Sequence, residues 1–402
     1  MVLADKSIRR LRMPKPADLI DAAGPLADLG TRTGILPRQR IKGLIHRKML
    51  RASTEIEESQ LQPASLDLRL GSKAYRVRAS FLPGKSKTVE QQLAELKFDE
   101  ISLENGAVLE RGCVYVVELL EHLKLPDSVT GLANPKSSTG RLDIFTRLIA
   151  DHSEVFDTVR GRYDGKLYAE ISPCSFAIRV RKGTRLNQIR FRRRNSQHAE
   201  SQNFTLSDRD LQTQHDNVSK LVDGDINLRN GLVLSVDLAG DIGGLVGYRA
   251  QRFAGVIDLD EIAQYNVRDF WEPIHSRDRR LILDPHQFYI LASKEHIHIP
   301  PLLAAEMVPI DHMMGEFRVH YAGFFDPGFG FTTTGHPGSR AVLEVRSHEV
   351  PFVLEDGQAI GRLVYENLTE EPDSFYGQTG TSNYQGQGLR LSKHFRLDAG
   401  DI

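Results

Sequence analysis

Leu109-Glu110-Arg111-Gly112-Cys113-Val114-Tyr115-Val116-Val117 runs into Glu121-His122-Leu123-Lys124-Leu125-Pro126, and the same pattern returns 174 residues later. There Leu283-Asp284-Pro285-His286-Gln287-Phe288-Tyr289-Ile290-Leu291 runs into Glu295-His296-Ile297-His298-Ile299-Pro300. Tyr115/Tyr289, His122/His296 and Pro126/Pro300 share that offset, as do Glu170/Glu344, Gly183/Gly357 and Phe191/Tyr365. Ser65-Leu66-Asp67-Leu68 also returns, as Ser235-Val236-Asp237-Leu238, four residues out of step. A fixed spacing held over roughly 80 residues marks a tandem duplication.

Around these anchors the chain alternates apolar and polar residues with period two. Ser65–Gly71, Lys73–Arg78, Ala107–Leu109, Val114–Leu120, Leu167–Ile171 and Phe176–Val180 all follow that pattern, which is the signature of short half-buried strands. Long helical patterns are missing from this part, so the fold class is mainly β, a barrel or sandwich in each copy. The exception is Arg38 to Arg51, where Ile41, Leu44, Ile45, Met49 and Leu50 recur at helical spacing between basic residues. The expected organisation is an N-terminal extension with this helix over 1–54, a first barrel over 55–194 and a polar linker over 195–225. A second barrel over 226–370 and a C-terminal tail over 371–402 complete it. A length of 402 residues suits about two self-sufficient cores.

Composition narrows the function. The net charge of −1 argues against a protein that binds nucleic acid through a basic field. No apolar run approaches the roughly 18 residues that span a bilayer, so no membrane partner is expected. Met1 to Pro16 is basic without an apolar core, which predicts no secretory signal. The two cysteines, Cys113 and Cys174, offer no disulfide framework and fit a reducing cytoplasm.

Because the chain is duplicated, the differences between copies carry information. Asn134-Pro135-Lys136-Ser137-Ser138-Thr139-Gly140-Arg141 joins adjacent hydroxyls, a glycine and two cations, a composition suited to phosphate oxygens. Its counterpart, Asp311-His312-Met313-Met314-Gly315, keeps neither the hydroxyl pair nor the arginine. Conversely, Tyr321-Ala322-Gly323-Phe324-Phe325-Asp326-Pro327-Gly328-Phe329-Gly330 has only a stretched partner, Ala150 to Gly165 around Asp157. Both copies keep a glutamate on the following strand, Glu170 and Glu344. The two halves have specialised.

These motifs together resemble the dCTP deaminase family of the dUTPase-like superfamily. The resemblance rests on Gln62-Pro63-Ala64-Ser65-Leu66-Asp67-Leu68-Arg69-Leu70-Gly71, on Ser137-Ser138-x-x-Arg141, on the Asp326-Pro327-Gly328-Phe329-x-Gly330 loop and on the strand glutamate. It spans about 55–192 and 226–390. It implies two distorted β-barrels of the β-clip type in tandem, whereas the family's usual subunit is a single barrel. In that family three barrels assemble with sites between neighbours, which implies a homo-oligomer. Lys136, Ser137, Ser138 and Arg141 would then bind phosphate and orient the site. Ala322, Asp326 and Phe329 would hold the deoxyribose, with the aromatic leaving no room for a 2′-hydroxyl. Tyr384 and Gln387, in Ser382-Asn383-Tyr384-Gln385-Gly386-Gln387-Gly388, would belong to a tail that closes over the triphosphate of dCTP. Mg²⁺ would accompany the triphosphate.

The chemistry suits these residue types. Hydrolytic deamination needs a proton taken from water and a proton returned to the departing amine, and one carboxylate of raised pKa does both. Glu344 and Glu170 are the candidates, with Arg141 and Ser137 as oriented donors. The expected arrangement is composite, with the serine-rich turn from the first half and Ala322, Asp326 and Glu344 from the second; the rival arrangement pairs the same turn with Glu170. A zinc deaminase would need H-x-E followed by P-C-x-x-C. Here His152-Ser153-Glu154 is followed by Pro173-Cys174-Ser175-Phe176-Ala177, which lacks the second cysteine. No zinc and no protein metal site are expected. Two other readings stay open: a dUTPase yielding pyrophosphate, and a silent nucleotide-binding regulator. The run Arg179 to Arg194, with eight Lys or Arg and no acid, reads as a solvated face or a positive rim. Trp271 reads as a locally packed aromatic.

Overall fold

The computed structural model describes residues 32–194, 204–240, 243–309, 317–319, 323–331, 337–347, 349–378 and 383–396. Helix α1, Arg38–His46, buries Ile41 and Leu44. The helical spacing continues to Leu50, but the helix does not: Lys48 takes a left-handed φ of 58°, and Leu50–Ala52 turns into a strand. Strands β1 (Leu66–Leu68), β2 (Leu70–Val77), β3 (Val114–Lys124), β4 (Val129–Pro135), β5 (Ile144–Ala150), β6 (Asp164–Pro173) and β7 (Asn187–Arg193) build the first half. Helices α2 (Val89–Leu96) and α3 (Ser137–Gly140) interrupt them. One antiparallel sheet runs β2-β3-β6-β5, and in the other β7 pairs with both β1 and β4.

The second half repeats this plan. Helix α4 (Asp208–Asn217) is followed by β8 (Leu232–Ser235), β9 (Leu245–Ala250), β10 (Trp271–His275), β11 (Phe288–Ile297), β12 (Leu303–Pro309), β13 (Ser339–Ser347) and β14 (Ala359–Asn367). One sheet runs β10-β9-β11-β13 and the other β8-β14-β12. The registers repeat at the sequence offset: Glu170 lies opposite Val116 and Glu344 opposite Ile290, while Ile189 faces Ala133 and Leu363 faces Met307. Even a side-chain contact repeats. The Tyr115 hydroxyl accepts from the Glu110 amide at 3.0 Å, and Tyr289 from the Asp284 amide at 2.9 Å.

Period-two strands have two faces, and the halves cover their outer faces differently. Inward, Tyr115, Val117, Ala169 and Ile171 fill the first core, and Tyr289, Leu291, Leu343 and Val345 the second. Outward in the first half, Val114, Val116, Ile149 and Tyr168 lie under Val89 and Leu93 of α2, whose N-terminus is fixed by a Thr88–Gln91 capping box. The equivalent face of the second half, Phe288, Ile290 and Val342, joins the core of the first half. Trp271 is fully buried in that seam, with its ring 5.3 Å from Phe176 of the other half. It therefore packs across the halves and not locally.

Charge stitches the same seam. Arg181 forks onto Asp258 at 2.6 and 2.8 Å, beside a short parallel pairing of Ile178–Val180 with Ile257–Asp258. Arg190 pairs with Glu306 and Arg192 with Glu366. Several cations of the Arg179–Arg194 run are thus bound between the halves, neither a solvated face nor a rim. The segment read as a polar linker holds α4, capped by Ser207 and anchored by the fully buried Leu211. Among the described residues no helix is long and apolar enough to cross a membrane.

Candidate active site

The cleft between the halves begins at a turn. Strand β4 ends at Pro135, and the Lys136 and Thr139 side of the following turn is tied to the Leu186 carbonyl: the Lys136 amide donates to it at 2.9 Å and the Thr139 hydroxyl at 2.9 Å. The turn, α3, therefore sits at a fixed height above the first sheet. Lys136 pairs with the buried Asp67 of β1. Asp143, just beyond the turn, pairs with Arg346 of β13 and accepts from the Ser175 hydroxyl at 2.6 Å.

Two residues before Arg346 on the same strand face stands Glu344. Its carboxyl lies against Gly140: a Cβ there would come within 2.8 Å of Oε1 and 2.9 Å of the carboxyl carbon. Only a glycine lets the turn approach the glutamate so closely. Burial pushes the Glu344 pKa up to about 8, with Arg141 opposing the rise and Asp143 adding to it. Arg141 is itself buried. Its Nη1 donates to the Arg390 carbonyl at 3.0 Å and its Nη2 to Gln387 Oε1 at 2.9 Å. The guanidinium stacks 3.8 Å above the Tyr384 ring.

The other wall is the Asp326 loop. The Ala64 amide of the first half donates to Asp326 Oδ1 at 3.0 Å, and burial raises this carboxyl to about 7 against that hydrogen bond. Phe329 packs between Phe325 and Tyr376, with ring centroids 5.1 and 5.5 Å away. The tail docks across both: Gln385 and Gly330 or Gly328 exchange hydrogen bonds at 3.1 Å, and the Arg340 amide donates to the Gln387 carbonyl at 2.9 Å.

Lys136, Ser137, Ser138, Arg141, Asp326, Phe329, Glu344, Tyr384 and Gln387 all line one cleft of about 960 Å³, open mouth included. Ala322 lies outside the described residues, as does the Asp311–Gly315 counterpart of the turn. Glu170 does not line this cleft. It is held by Arg147 at 2.6 Å on the sheet face that α2 covers, and Arg147 also donates to the Ser80 hydroxyl at 2.8 Å. Asp157, the first-half relative of Asp326, accepts from the Leu148 amide of its own half at 2.7 Å. The first half's copy of the loop is closed upon itself.

Sequence reasoning passed over several lining residues: Gln62, Asp67, Tyr376 and Lys393. Gln62 and Asp67 stood inside a quoted motif without a role. Tyr376 and Lys393 belong to no motif, and nothing local in the chain flags them. Among the described residues no group of three or more His, Cys, Asp or Glu is placed to hold a metal.

Comparison with known proteins comes down on one family. The family model for the N-terminal domain of 2′-deoxycytidine 5′-triphosphate deaminase matches residues 32–195, and that for its C-terminal domain matches 207–395. A crystal structure of 2′-deoxycytidine 5′-triphosphate deaminase from Agrobacterium tumefaciens is similar with a TM-score of 0.79 and 52% identity, covering 84% of this chain and 99% of that one. A "dCTP deaminase, dUMP-forming" of Halobacterium salinarum is 31% identical over 143 residues, 35% of this chain and 67% of the relative. One from Coprothermobacter proteolyticus is 29% identical over 163 residues, 39% of this chain and 81% of the relative.

Proposed function

This chain belongs to the dCTP deaminase family, and from that premise we propose that the cleft between its halves removes the C4 amino group of dCTP by hydrolysis, giving dUTP and ammonia. The observation that carries this is the meeting of Glu344, from the second half, with the Gly140–Arg141 turn of the first.

In this reading the Glu344 carboxylate takes a proton from the water that attacks C4. It returns the proton to the amine as the C4–N bond breaks, so one group serves as base and then acid. A pKa of about 8 suits both halves of that exchange near neutral pH. Arg141, clamped by Gln387, Arg390 and Tyr384, sets positive charge near the Glu344 carboxyl and the reacting centre. Ser137 and Ser138 supply hydroxyl donors on the phosphate side, together with Lys136. Asp326 and Phe329 take the deoxyribose; the Phe329 ring, wedged between two aromatics, cannot retreat from a 2′-hydroxyl.

The triphosphate would bring Mg²⁺ with it. Mg²⁺ uses phosphate oxygens, waters and one or two carboxylates. Asp67 fits, since it lines the cleft and its Oδ1 is buried without a hydrogen-bond partner among the described residues. Bound there, the ion would neutralise phosphate charge. The matched registers support reading the two halves as duplicated barrels of the β-clip type. Every residue given a role lies in one chain, so the homo-oligomer implied by the family need contribute none of them.

The relatives named as dUMP-forming favour a second product reading, in which dUTP is cleaved further to dUMP and pyrophosphate. Incubating the protein with dCTP and Mg²⁺ while scoring ammonia, dUTP, dUMP and pyrophosphate together decides it. Ammonia with dUTP is expected. Ammonia matched by dUMP and pyrophosphate would assign the longer reaction, and pyrophosphate or silence without ammonia would overturn deamination.

A further inference from the structure

The Asp143 carboxylate has no part in the mechanism above, yet it is buried and closes a ring of contacts around Glu344. The ring starts at the Glu344 carboxyl, which lies against Gly140 of α3. The Gly140 carbonyl accepts from the Asp143 amide at 2.9 Å, and the Asp143 carboxylate pairs with Arg346. Arg346 stands two residues beyond Glu344 on β13, on the same strand face, which returns the circuit to its start. It passes from the second half to the first and back.

Both ends of the ion pair are fixed from behind. Asp143 Oδ2 also accepts from the Ser175 hydroxyl at 2.6 Å, and the Asp143 carbonyl accepts from the Cys174 amide at 2.9 Å. Arg346 Nη1 donates to the His286 carbonyl at 2.9 Å. Asp143 holds a left-handed φ of 55°, which aspartate tolerates better than most side chains. At the 174-residue offset its counterpart is Phe317, and that of Arg346 is Ser172. Neither copy keeps both members, so the pair forms only between the halves, in the combination that also joins the turn to Glu344. A buried ion pair adds little net stability, because desolvation offsets much of the attraction; its better-attested use is to fix register.

We propose that Asp143 and Arg346 are positioning residues for deamination: their ion pair sets the register of the first half's turn over the second half's glutamate and so holds the Glu344 carboxyl at the reacting centre. This rests on the reading of Glu344 as the base. Electrostatics points the same way, since Asp143 raises the Glu344 pKa while Arg141 lowers it. Ile290, opposite Glu344 in β11, carries no charge. The other titratable groups on the cleft walls, Asp67, Lys136, Asp326, Tyr376, Tyr384 and Lys393, are left in place when the pair is altered. Without the Asp143 charge, and with Arg346 freed on the same strand face, the carboxyl ionises at lower pH.

The test is Asp143→Asn in the full chain, because asparagine adopts the same left-handed φ and keeps an acceptor for Ser175. With rates normalised to folded protein, kcat for dCTP on the alkaline plateau should fall on the order of ten- to a hundredfold while KM changes little. The acid limb of the pH–rate profile should move on the order of one unit to lower pH. Arg346→Met should lower the plateau comparably, and Arg346→Lys, which keeps the charge, should recover most of it. NMR titration of the Glu344 carboxyl carbon, assigned by its absence from Glu344→Gln, reads the same displacement without turnover. An acid limb and a carboxyl titration that stay where the native protein has them, a loss confined to KM, or no recovery with Arg346→Lys would each overturn the proposal and leave the deaminase reading standing. If Asp143→Asn displaces the carboxyl titration but the native protein releases no ammonia from dCTP, the hold of the pair on Glu344 stands and the deaminase reading fails.

Discussion

At the scale of single residues, the proposed mechanism turns on one buried carboxyl, whose pKa burial and Asp143 raise and Arg141 lowers. Glu344 is buried beside a glycine, and the one cation that lowers its pKa, Arg141, is occupied with the tail. The sign of the pH dependence follows. A base must be ionised to accept a proton, and a carboxyl raised to about 8 is mostly protonated at pH 6. We expect kcat/KM for dCTP to fall about tenfold per pH unit below a midpoint near 8, and to level off above it. A pH–rate series between 5.5 and 9.5, roughly spanning that midpoint, checks it; an acid limb near 4.5, the ordinary glutamate value, would show that burial does not set this group. Much of this was legible beforehand. The serine turn, Asp326 and the paired glutamates announced themselves through type and offset, because a duplicated chain exposes what each copy kept. The choice of Glu344 over Glu170 was not legible, since both sit at the same place on equivalent strands. Lys393 and Tyr376 were not legible either, because they reach the cleft by the path of the tail.

At the scale of elements, α2 explains why only one copy is open. The outer face of the second sheet receives the first half, while the outer face of the first sheet receives its own helix through Val89 and Leu93. Strand periodicity reveals that a face is apolar but not what will cover it, so the sequence could not say which glutamate would meet a turn. Helix α2 and the helix inside the polar linker were missed for a related reason. Both are short, and each buries only one or two side chains, which leaves little periodic signal. If α2 is a structural cover remote from the chemistry, Leu93→Ala should cost about 2–5 kcal/mol of stability. Denaturant titration reads that loss, and turnover by the folded fraction should stay near native. A loss of kcat without a loss of stability would place α2 in the working site.

At the scale of the whole molecule, two halves share one cleft. The N-terminal helix reinforces the arrangement from outside: Arg40 binds Glu370, and Gln39 donates to Glu370 at 2.7 Å, next to the segment that leads into the tail. The seam buries Trp271 and the Arg190–Glu306 pair, so the halves are not free to part. With the Glu170 face covered and the Asp157 loop bonded to its own half, equilibrium dialysis should find one dCTP bound per chain. Two per chain would mean that the first half keeps a site of its own. The central claim is narrower still: the working carboxyl comes from the second half and the turn it serves from the first. It is tested most directly by comparing ammonia release from dCTP by Glu344→Gln and Glu170→Gln, normalised to folded protein. The account predicts a loss of about 10²–10⁴-fold for Glu344→Gln and a rate within a few-fold of native for Glu170→Gln; the reverse pattern would contradict it.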